Sequence, residues 1–139
     1  MKTLAATFLA TSGVPILLTG CAGGLVNYHT QVKGDVLIVP KREAMSLSKP
    51  NGILVLHAQG LNGPIVLRNV ENKEIVAMSI ICTHRGCEVR PMPRSFECPC
   101  HHSEYDIHGN VTTGPARLPL KRFSVEETPE SFIINVSQN

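Results

Sequence analysis

The sequence predicts an all-β domain in which antiparallel strands form a sandwich or barrel. Short runs rich in β-branched and aliphatic residues recur at close spacing, and clusters of Gly, Pro and Asn separate them. No segment has a convincing helical pattern. The 139 residues suffice for one domain, and the absence of Trp, with only 4% aromatic residues, favours a small core.

Six segments of the chain are expected to form the main strands. They cover residues 35–40, 53–57, 65–68, 74–81, 120–125 and 131–136. Turn-forming residues stand between them at 50–52, 61–64 and 71–73 and around Pro129, which is typical of short connections in all-β domains. Residues 88–90 and 95–97 can pair as a smaller hairpin with its turn at 91–94. This hairpin would bring its two flanking segments to one end of the domain.

The N-terminal segment has the features of an export signal. Lys2 precedes an apolar stretch over residues 4–18, which is shorter than the roughly 20 residues that span a bilayer. The stretch ends in Leu18-Thr19-Gly20-Cys21, which resembles the lipobox of bacterial lipoproteins. That resemblance implies a signal peptide over residues 1–20, a lipidated tether over 21–34 and an extracytoplasmic domain over 35–139. The alternative is an uncleaved anchor in which Cys21 is an ordinary thiol.

Two short boxes hold most of the residues with reactive side chains. They are Cys82-Thr83-His84-Arg85-Gly86-Cys87 and Cys98-Pro99-Cys100-His101-His102-Ser103. In terms of ligand types they are C-x-H-x-x-C and C-x-C-H. Two Cys and two His in this spacing resemble the binding loops of Rieske [2Fe–2S] proteins, and residues 114–120 resemble that family's Pro-containing third loop. The resemblance implies a β sandwich or barrel with a small cluster-binding subdomain.

The resemblance also implies which side chains hold the cofactor, a [2Fe–2S] cluster. Cys82 and Cys98 would bind one iron, and His84 and His101 would bind the other. Neutral imidazoles leave a cluster more positive than thiolates do, so an electron is easier to add. Exchanging two Cys for two His moves the potential from about −400 mV to roughly −150 to +300 mV.

Further residues match the high-potential branch of the Rieske family. By that resemblance, Cys87 and Cys100 form a disulfide between the two loops, which suits an oxidising compartment. Ser103 and Tyr105 stand at positions whose hydroxyls donate to a bridging sulfide and to a ligand sulfur. Such donors stabilise the more negative, reduced cluster and so raise its potential.

Two positions depart from the quinol-oxidising members of that branch. Arg85 stands where Leu is usual, and that Leu shields the cluster and helps to form the quinone-facing surface. His102 stands where Gly is usual, either as a third imidazole at the rim or as a tolerated substitution. We expect Arg85, His102 and Pro115 to contribute to a docking surface for redox partners.

Together these features predict a membrane-tethered one-electron carrier that is not a complete enzyme by itself. The expected donor is quinol or another respiratory donor, and the expected acceptor is a cytochrome c or a copper protein, with cytochrome b-type subunits as further candidate partners. A Rieske ferredoxin of an oxygenase is the first alternative. A zinc-stabilised lipoprotein binding module is the second, because a Cys2His2 set also suits zinc. The net charge of +2 gives no strong field for nucleic acid.

Overall fold

The structure is a computed structural model that describes residues 25–137. Within this range the chain forms β strands and two short 3₁₀ turns, without any α-helix. The predicted all-β class is therefore confirmed. The described residues include no helix with the length and apolar character needed to cross a membrane. Cys21 and the expected signal peptide lie outside the described residues.

Twelve strands follow one another along the described chain. They are β1 (Val26–Gln31), β2 (Val36–Pro40), β3 (Ile53–Gln59), β4 (Ile65–Asn69), β5 (Ile75–Ser79), β6 (Arg90–Pro91), β7 (Ser95–Glu97), β8 (Glu104–Asp106), β9 (Val111–Thr113), β10 (Arg122–Phe123), β11 (Val125–Glu127) and β12 (Ser131–Asn135). The 3₁₀ turns are Met45–Ser48 and Glu71–Lys73. Five of the six predicted segments coincide with single strands, whereas the segment predicted at 120–125 is divided between β10 and β11.

A five-stranded sheet with the order β1-β3-β4-β5-β10 forms the central layer. β4 is buried along its whole length, which explains why its sequence does not alternate between apolar and polar residues. Ile65 and Leu67 pack against Leu37 and Ile134 of the three-stranded sheet β11-β12-β2. The core between these two sheets, called here the sandwich core, consists of Leu37, Val39, Ala44, Leu47, Leu54, Leu56, Ile65, Leu67, Ala77, Phe132, Ile134 and Val136.

The opposite face of the central sheet is covered by a four-stranded antiparallel sheet, β6-β7-β8-β9. Its strands are two or three residues long, and β6 and β7 form the hairpin predicted between the two boxes. Val66 and Met78 of the central sheet meet Phe96 and Tyr105 of the small sheet. This second core, called here the small-sheet core, consists of Val55, Val66, Val70, Val76, Met78, Ile80, Cys82, Val89, Phe96, Cys98, Tyr105, Ala116 and Leu120.

The structure corrects the predicted extent of the tether. The sequence indicated a tether up to residue 34, but Val26–Gln31 forms β1 and pairs in parallel with β3. Polar residues such as Asn27 and His29 conceal this strand in the sequence, because an edge strand can leave most of its side chains exposed. The folded domain therefore includes Val26 rather than beginning at residue 35.

Candidate metal centre

The two boxes fold into the same backbone loop. In each box the N–H of the first cysteine donates to the carbonyl five residues later, and the N–H four residues later donates back to that cysteine's carbonyl. The distances are 2.7 and 2.9 Å around Cys82, and 2.8 and 3.0 Å around Cys98. The fifth residues of the boxes, Gly86 and His102, both have positive φ, at 78° and 58°. The loops are thus structural repeats in which Cys82 and Cys98 occupy equivalent places, whereas His84 is the third residue of its box and His101 is the fourth.

The loops bring the four predicted ligands together as an inner pair and an outer pair. Cys82 and Cys98 are 2% and 1% exposed, and both belong to the small-sheet core. The rings of His84 and His101 are half-buried and exposed respectively, and their centroids lie 4.8 Å apart at an interplanar angle of 88°. Sulfur ligands are therefore gathered inside and imidazoles toward the solvent.

The environment of one ring nitrogen of His84 shows whether these side chains are suited to bind a metal group. His84 Nδ1 is buried and has no hydrogen-bond partner among the described residues. Burial, followed by repulsion from the neighbouring His101 and Arg85 side chains, lowers the pKa of His84, which favours the neutral imidazole. A buried ring nitrogen without a hydrogen-bond partner is costly unless it binds something, and neutral imidazole is the form that ligates a metal. The residues present therefore fit a metal group at this site.

The environment of Cys82 favours the thiolate that an iron ligand requires. Burial opposes ionisation of this thiol, but hydrogen bonds from the Tyr105 hydroxyl and the backbone N–H of His84 outweigh it and lower the pKa of Cys82. A thiolate is the form of cysteine that binds metals.

The remaining two cysteines of the boxes are joined to each other. Cys87 and Cys100 form a disulfide with their Cα atoms 6.6 Å apart, which confirms the pairing that the family resemblance implied. The bond links the end of the first loop to the middle of the second. It therefore limits how far the two halves of the ligand set can separate.

The spacing of the ligand atoms argues against a mononuclear zinc site. Four tetrahedral ligands of one zinc ion all lie within about 4 Å of one another. Among residues 25–137, Cys87, Cys98 and Cys100 are the only set of three or more candidate ligands within 4.8 Å, and two of these are disulfide-bonded. A group with two metal ions, one near each pair, fits the arrangement better.

Tyr105 connects the first loop to the small sheet. Its hydroxyl lies 3.3 Å from Cys82 Sγ and accepts the Thr83 N–H at 3.2 Å. Burial, followed by the hydrogen bond with Cys82, raises the pKa of Tyr105, so the phenol stays protonated and can donate. Thr83 Oγ1 in turn donates to the Leu118 carbonyl at 2.6 Å. Sequence reasoning missed this role of Thr83, because the residue stands between two ligand candidates and its contacts come from distant segments of the chain.

Ser103 connects the second loop to the third loop. Its side chain is fully buried, and its Oγ accepts the Ala116 N–H at 2.9 Å. The hydroxyl proton donates to none of the described residues and is free for another acceptor. Pro115, which precedes Ala116, is exposed and follows a cis peptide bond.

The predicted docking residues lie on the surface around the loops. Arg85 and Pro115 are exposed, and Leu118 of the third loop is 65% exposed despite its apolar side chain. The His102 side chain is 80% exposed, with Nδ1 3.7 Å from Glu97 Oε1. These positions favour the interpretation of His102 as a tolerated substitution over a third imidazole ligand.

The two loops gather thiols inside and imidazoles outside, and a disulfide cross-links them in an all-β domain. This is the arrangement expected of a binuclear iron–sulfur site with both sulfur and nitrogen ligands. The model of the Rieske [2Fe–2S] domain family matches residues 35–124. The chain therefore belongs to the Rieske [2Fe–2S] family, an electron-transfer family whose cofactor is a [2Fe–2S] cluster.

Curated relatives include iron–sulfur subunits of cytochrome b6-f complexes. The chain is 43% identical over 106 residues to subunit 2 from Trichormus variabilis, which covers 70% of this chain and 60% of that protein. It is 36% identical over 107 residues to the subunit from Nostoc punctiforme, covering 73% of this chain and 57% of that protein. The chain thus spans about half the length of the cytochrome b6-f subunits it matches.

Solved structures share the fold at lower sequence identity. The plasma membrane Rieske protein PetC3 from Synechocystis aligns with a TM-score of 0.57 and 24% identity, covering 71% of this chain and 98% of that chain. A chain from the oxygenase–ferredoxin complex of carbazole 1,9a-dioxygenase aligns with a TM-score of 0.58 and 19% identity, covering 77% and 98%. Since a plasma membrane Rieske protein and a chain of an oxygenase–ferredoxin complex share the fold, the fold alone does not identify the role of this chain.

Proposed function

We propose that this protein transfers single electrons outside the cytoplasm, from quinol or another respiratory donor to a cytochrome c or copper protein. The Cys87–Cys100 disulfide is the observation that carries the proposal. Disulfides persist in oxidising compartments and are rare in the cytoplasm, where an oxygenase ferredoxin would work. Similarity to cytochrome b6-f subunits supports the same role.

The ligand assignment follows the inner and outer pairs. Cys82 and Cys98 would hold one iron, and His84 and His101 would hold the other, with His84 Nδ1 as one of the ligand atoms. When bound, the [2Fe–2S] cluster supplies a one-electron redox centre at a potential that imidazole ligation makes high. The outer position of His101 would make it the residue that meets a docked donor or acceptor.

The roles of Ser103 and Tyr105 are to raise the potential within the Rieske range. Tyr105 donates toward Cys82 Sγ, and the free hydroxyl proton of Ser103 is available to a sulfide of the cluster. Both donations become stronger when the cluster gains negative charge, so they favour the reduced state.

The exposed rim would dock the partners. Leu118 and Pro115 offer an apolar surface, and Arg85 adds a cation beside His84. Cytochrome b-type membrane subunits are candidate partners, since the relatives are subunits of such complexes. Any chemistry on quinol would be carried out together with such partner subunits.

We also propose that the lipobox-like segment places a lipid on Cys21. One acyl chain gives only marginal membrane binding, of about 10⁴ M⁻¹, so stable anchoring needs additional chains. Mass spectrometry of the membrane fraction, with Cys21→Ala as the variant, tests the anchor. A wild-type mass without attached acyl chains, or unchanged membrane association of the variant, would contradict it.

The decisive experiment is protein-film voltammetry of the holoprotein, combined with oxidation by a c-type cytochrome in stopped flow. We expect a midpoint in the upper part of the range of about −150 to +300 mV, and rapid oxidation by the cytochrome. Ser103→Ala and Tyr105→Phe should each lower the midpoint while the cluster spectrum persists. A midpoint near the bottom of the range would indicate an oxygenase ferredoxin, and unchanged midpoints in both variants would contradict the assigned donors.

A further inference from the structure

Arg68 is a buried cation that the proposed function does not use. It lies in β4, in the middle of the central sheet, and is 0% exposed. Its Cα partners on the neighbouring strands are the apolar Ile53 and Val76. Burial lowers the pKa of Arg68 to about 10, so the guanidinium is still charged at neutral pH.

The contacts of Arg68 leave its charge poorly compensated. Nη2 donates to the Met92 carbonyl, and the guanidinium carbon lies 4.6 Å from the centroid of the Phe96 ring. Nε and Nη1 are buried without a partner among the described residues. Buried charges cost stability unless they are fully paired, and an apolar side chain of similar volume is often at least as stable. The Met92 bond and the Phe96 contact therefore offset only part of the cost of burying this charge.

Arg68 lies behind the cysteine side of the metal centre. Phe96, which covers the guanidinium, stands two residues before Cys98 and is the Cα partner of Tyr105. The Tyr105 hydroxyl in turn lies 3.3 Å from Cys82 Sγ. Phe96, Tyr105 and both cysteines belong to the small-sheet core. A short succession of packed side chains therefore separates the cation from the two thiols.

We propose that Arg68 is a positioning residue that raises the midpoint potential of the cluster from the interior side of the two cysteines. It does so by its charge and by fixing the hairpin that carries Phe96. This inference rests on the proposed ligand set. Reduction adds one negative charge to the centre, and a fixed cation in a low-dielectric interior favours the more negative state. Its bond to Met92 also ties the β6–β7 turn to the central sheet.

The dependence on salt concentration distinguishes the effect of Arg68 on the midpoint potential from the effect of surface charges. At physiological ionic strength the screening length is about 8 Å, and charges at the surface lose most of their long-range effect. Arg85 and Arg94 are exposed and accessible to ions, whereas Arg68 is enclosed between two sheets. The contribution of Arg68 should therefore be the same at low and high salt.

The test is voltammetry of the holoprotein at pH 6 in low and high KCl, with Arg68→Met, Arg68→Gln and Arg68→Lys. Arg94→Met is the matched control. Arg94 lies in the β6–β7 turn that contains Met92, but its side chain is 72% exposed and pairs with Glu71. Absorption and electron paramagnetic resonance spectra verify an intact cluster. We expect both neutral variants to shift the reduction equilibrium several-fold toward the oxidised form, equally at both salt concentrations. A tenfold change corresponds to about 59 mV for one electron. Arg68→Lys and Arg94→Met should stay close to the wild type.

Three results would overturn the proposal. They are an unchanged midpoint in the neutral variants, an equal shift in Arg68→Lys, or a shift that disappears in high salt. Loss of the cluster from the neutral variants with retention in Arg68→Lys would support a requirement for charge, whereas loss from all three would show a purely structural role. A low wild-type midpoint with the Arg68→Met shift intact would refute the proposed function and leave this inference standing.

Discussion

The sandwich core and the small-sheet core lie on opposite faces of the same central sheet, yet they differ in composition. The sandwich core is apolar throughout and is bounded by strands that are mostly five to seven residues long. The small-sheet core includes the two buried cysteines and Tyr105, it lies against the buried Arg68, and the strands of its outer sheet have two or three residues. β4 supplies both cores, with Ile65 and Leu67 on one face and Val66 and Arg68 on the other.

This difference indicates how stability and function are divided in the molecule. Long paired strands with an apolar core can be stable through burial alone. Short strands cannot, so the small-sheet side depends on the disulfide, on buried hydrogen bonds such as that of Ser103, and on the cofactor. We therefore expect substitutions in the two cores to affect different observables.

Leu56→Ala in the sandwich core should have the largest effect on global stability. Leu56 is fully buried, and truncation of such a side chain typically costs about 2–5 kcal/mol through lost burial and a residual cavity. Denaturant unfolding should show this loss while the midpoint potential stays constant. Val66→Ala, on the opposite face of the neighbouring strand, is the matched variant and should instead release the cluster at a lower temperature. A changed midpoint in Leu56→Ala would show that the two cores are not separable.

Removal of the disulfide should affect retention of the cluster more than the stability of the sandwich. Cys87 and Cys100 are 13 residues apart, and closing a loop of this size contributes about 3 kcal/mol in the chain-entropy model. In the double variant Cys87→Ala/Cys100→Ala, cluster absorption should bleach well below the temperature at which far-ultraviolet circular dichroism reports unfolding of the sandwich. The wild type treated with a reductant provides an independent route to the same state. Coincident transitions in the variant would contradict the division between the cores.

The strands of the sandwich could be predicted from the sequence more completely than the strands and contacts around the metal centre. β-branched runs and turn residues located β2, β3, β4, β5 and β12, because these strands are largely buried and therefore rich in apolar residues. β1, β8 and β9 were missed, since edge and short strands carry polar residues such as Asn27, Glu104 and Thr113. The ligand candidates and the disulfide pairing followed from the family resemblance that the two boxes carry. The burial of Arg68 and the hydrogen bond from Thr83 to Leu118 could not be predicted from the sequence, because both depend on how distant strands and loops pack.

The repeated loop conformation gives a paired prediction with a smaller effect. His102 has φ 58° at the position equivalent to Gly86, and a left-handed conformation costs a residue with a side chain about 1–2 kcal/mol. We expect His102→Gly to raise the bleaching temperature of the cluster slightly, and Gly86→Ala to lower it. A Cβ at Gly86 would meet no atom within 4 Å, so the backbone conformation alone would cause the second effect. Destabilisation by His102→Gly would show that its contact with Glu97 matters more than its backbone conformation.

The smallest expected effect concerns the turn after β8, at the outer edge of the small sheet. Although partial burial opposes it, hydrogen bonds from Asn110 and from the His108 N–H lower the pKa of Asp106. Because the folded-state pKa is below the unfolded value of about 3.9, this stabilisation is complete above that value and is lost as pH falls through the folded-state pKa. Asp106→Asn keeps the shape of the side chain but removes its charge. We therefore expect the variant to be slightly less stable than the wild type at pH 7, with the difference in unfolding free energy shrinking below pH ~4. A difference that stays constant as the solution is acidified would mean that the charge of Asp106 does not stabilise the turn, and that its hydrogen bonds act through geometry alone.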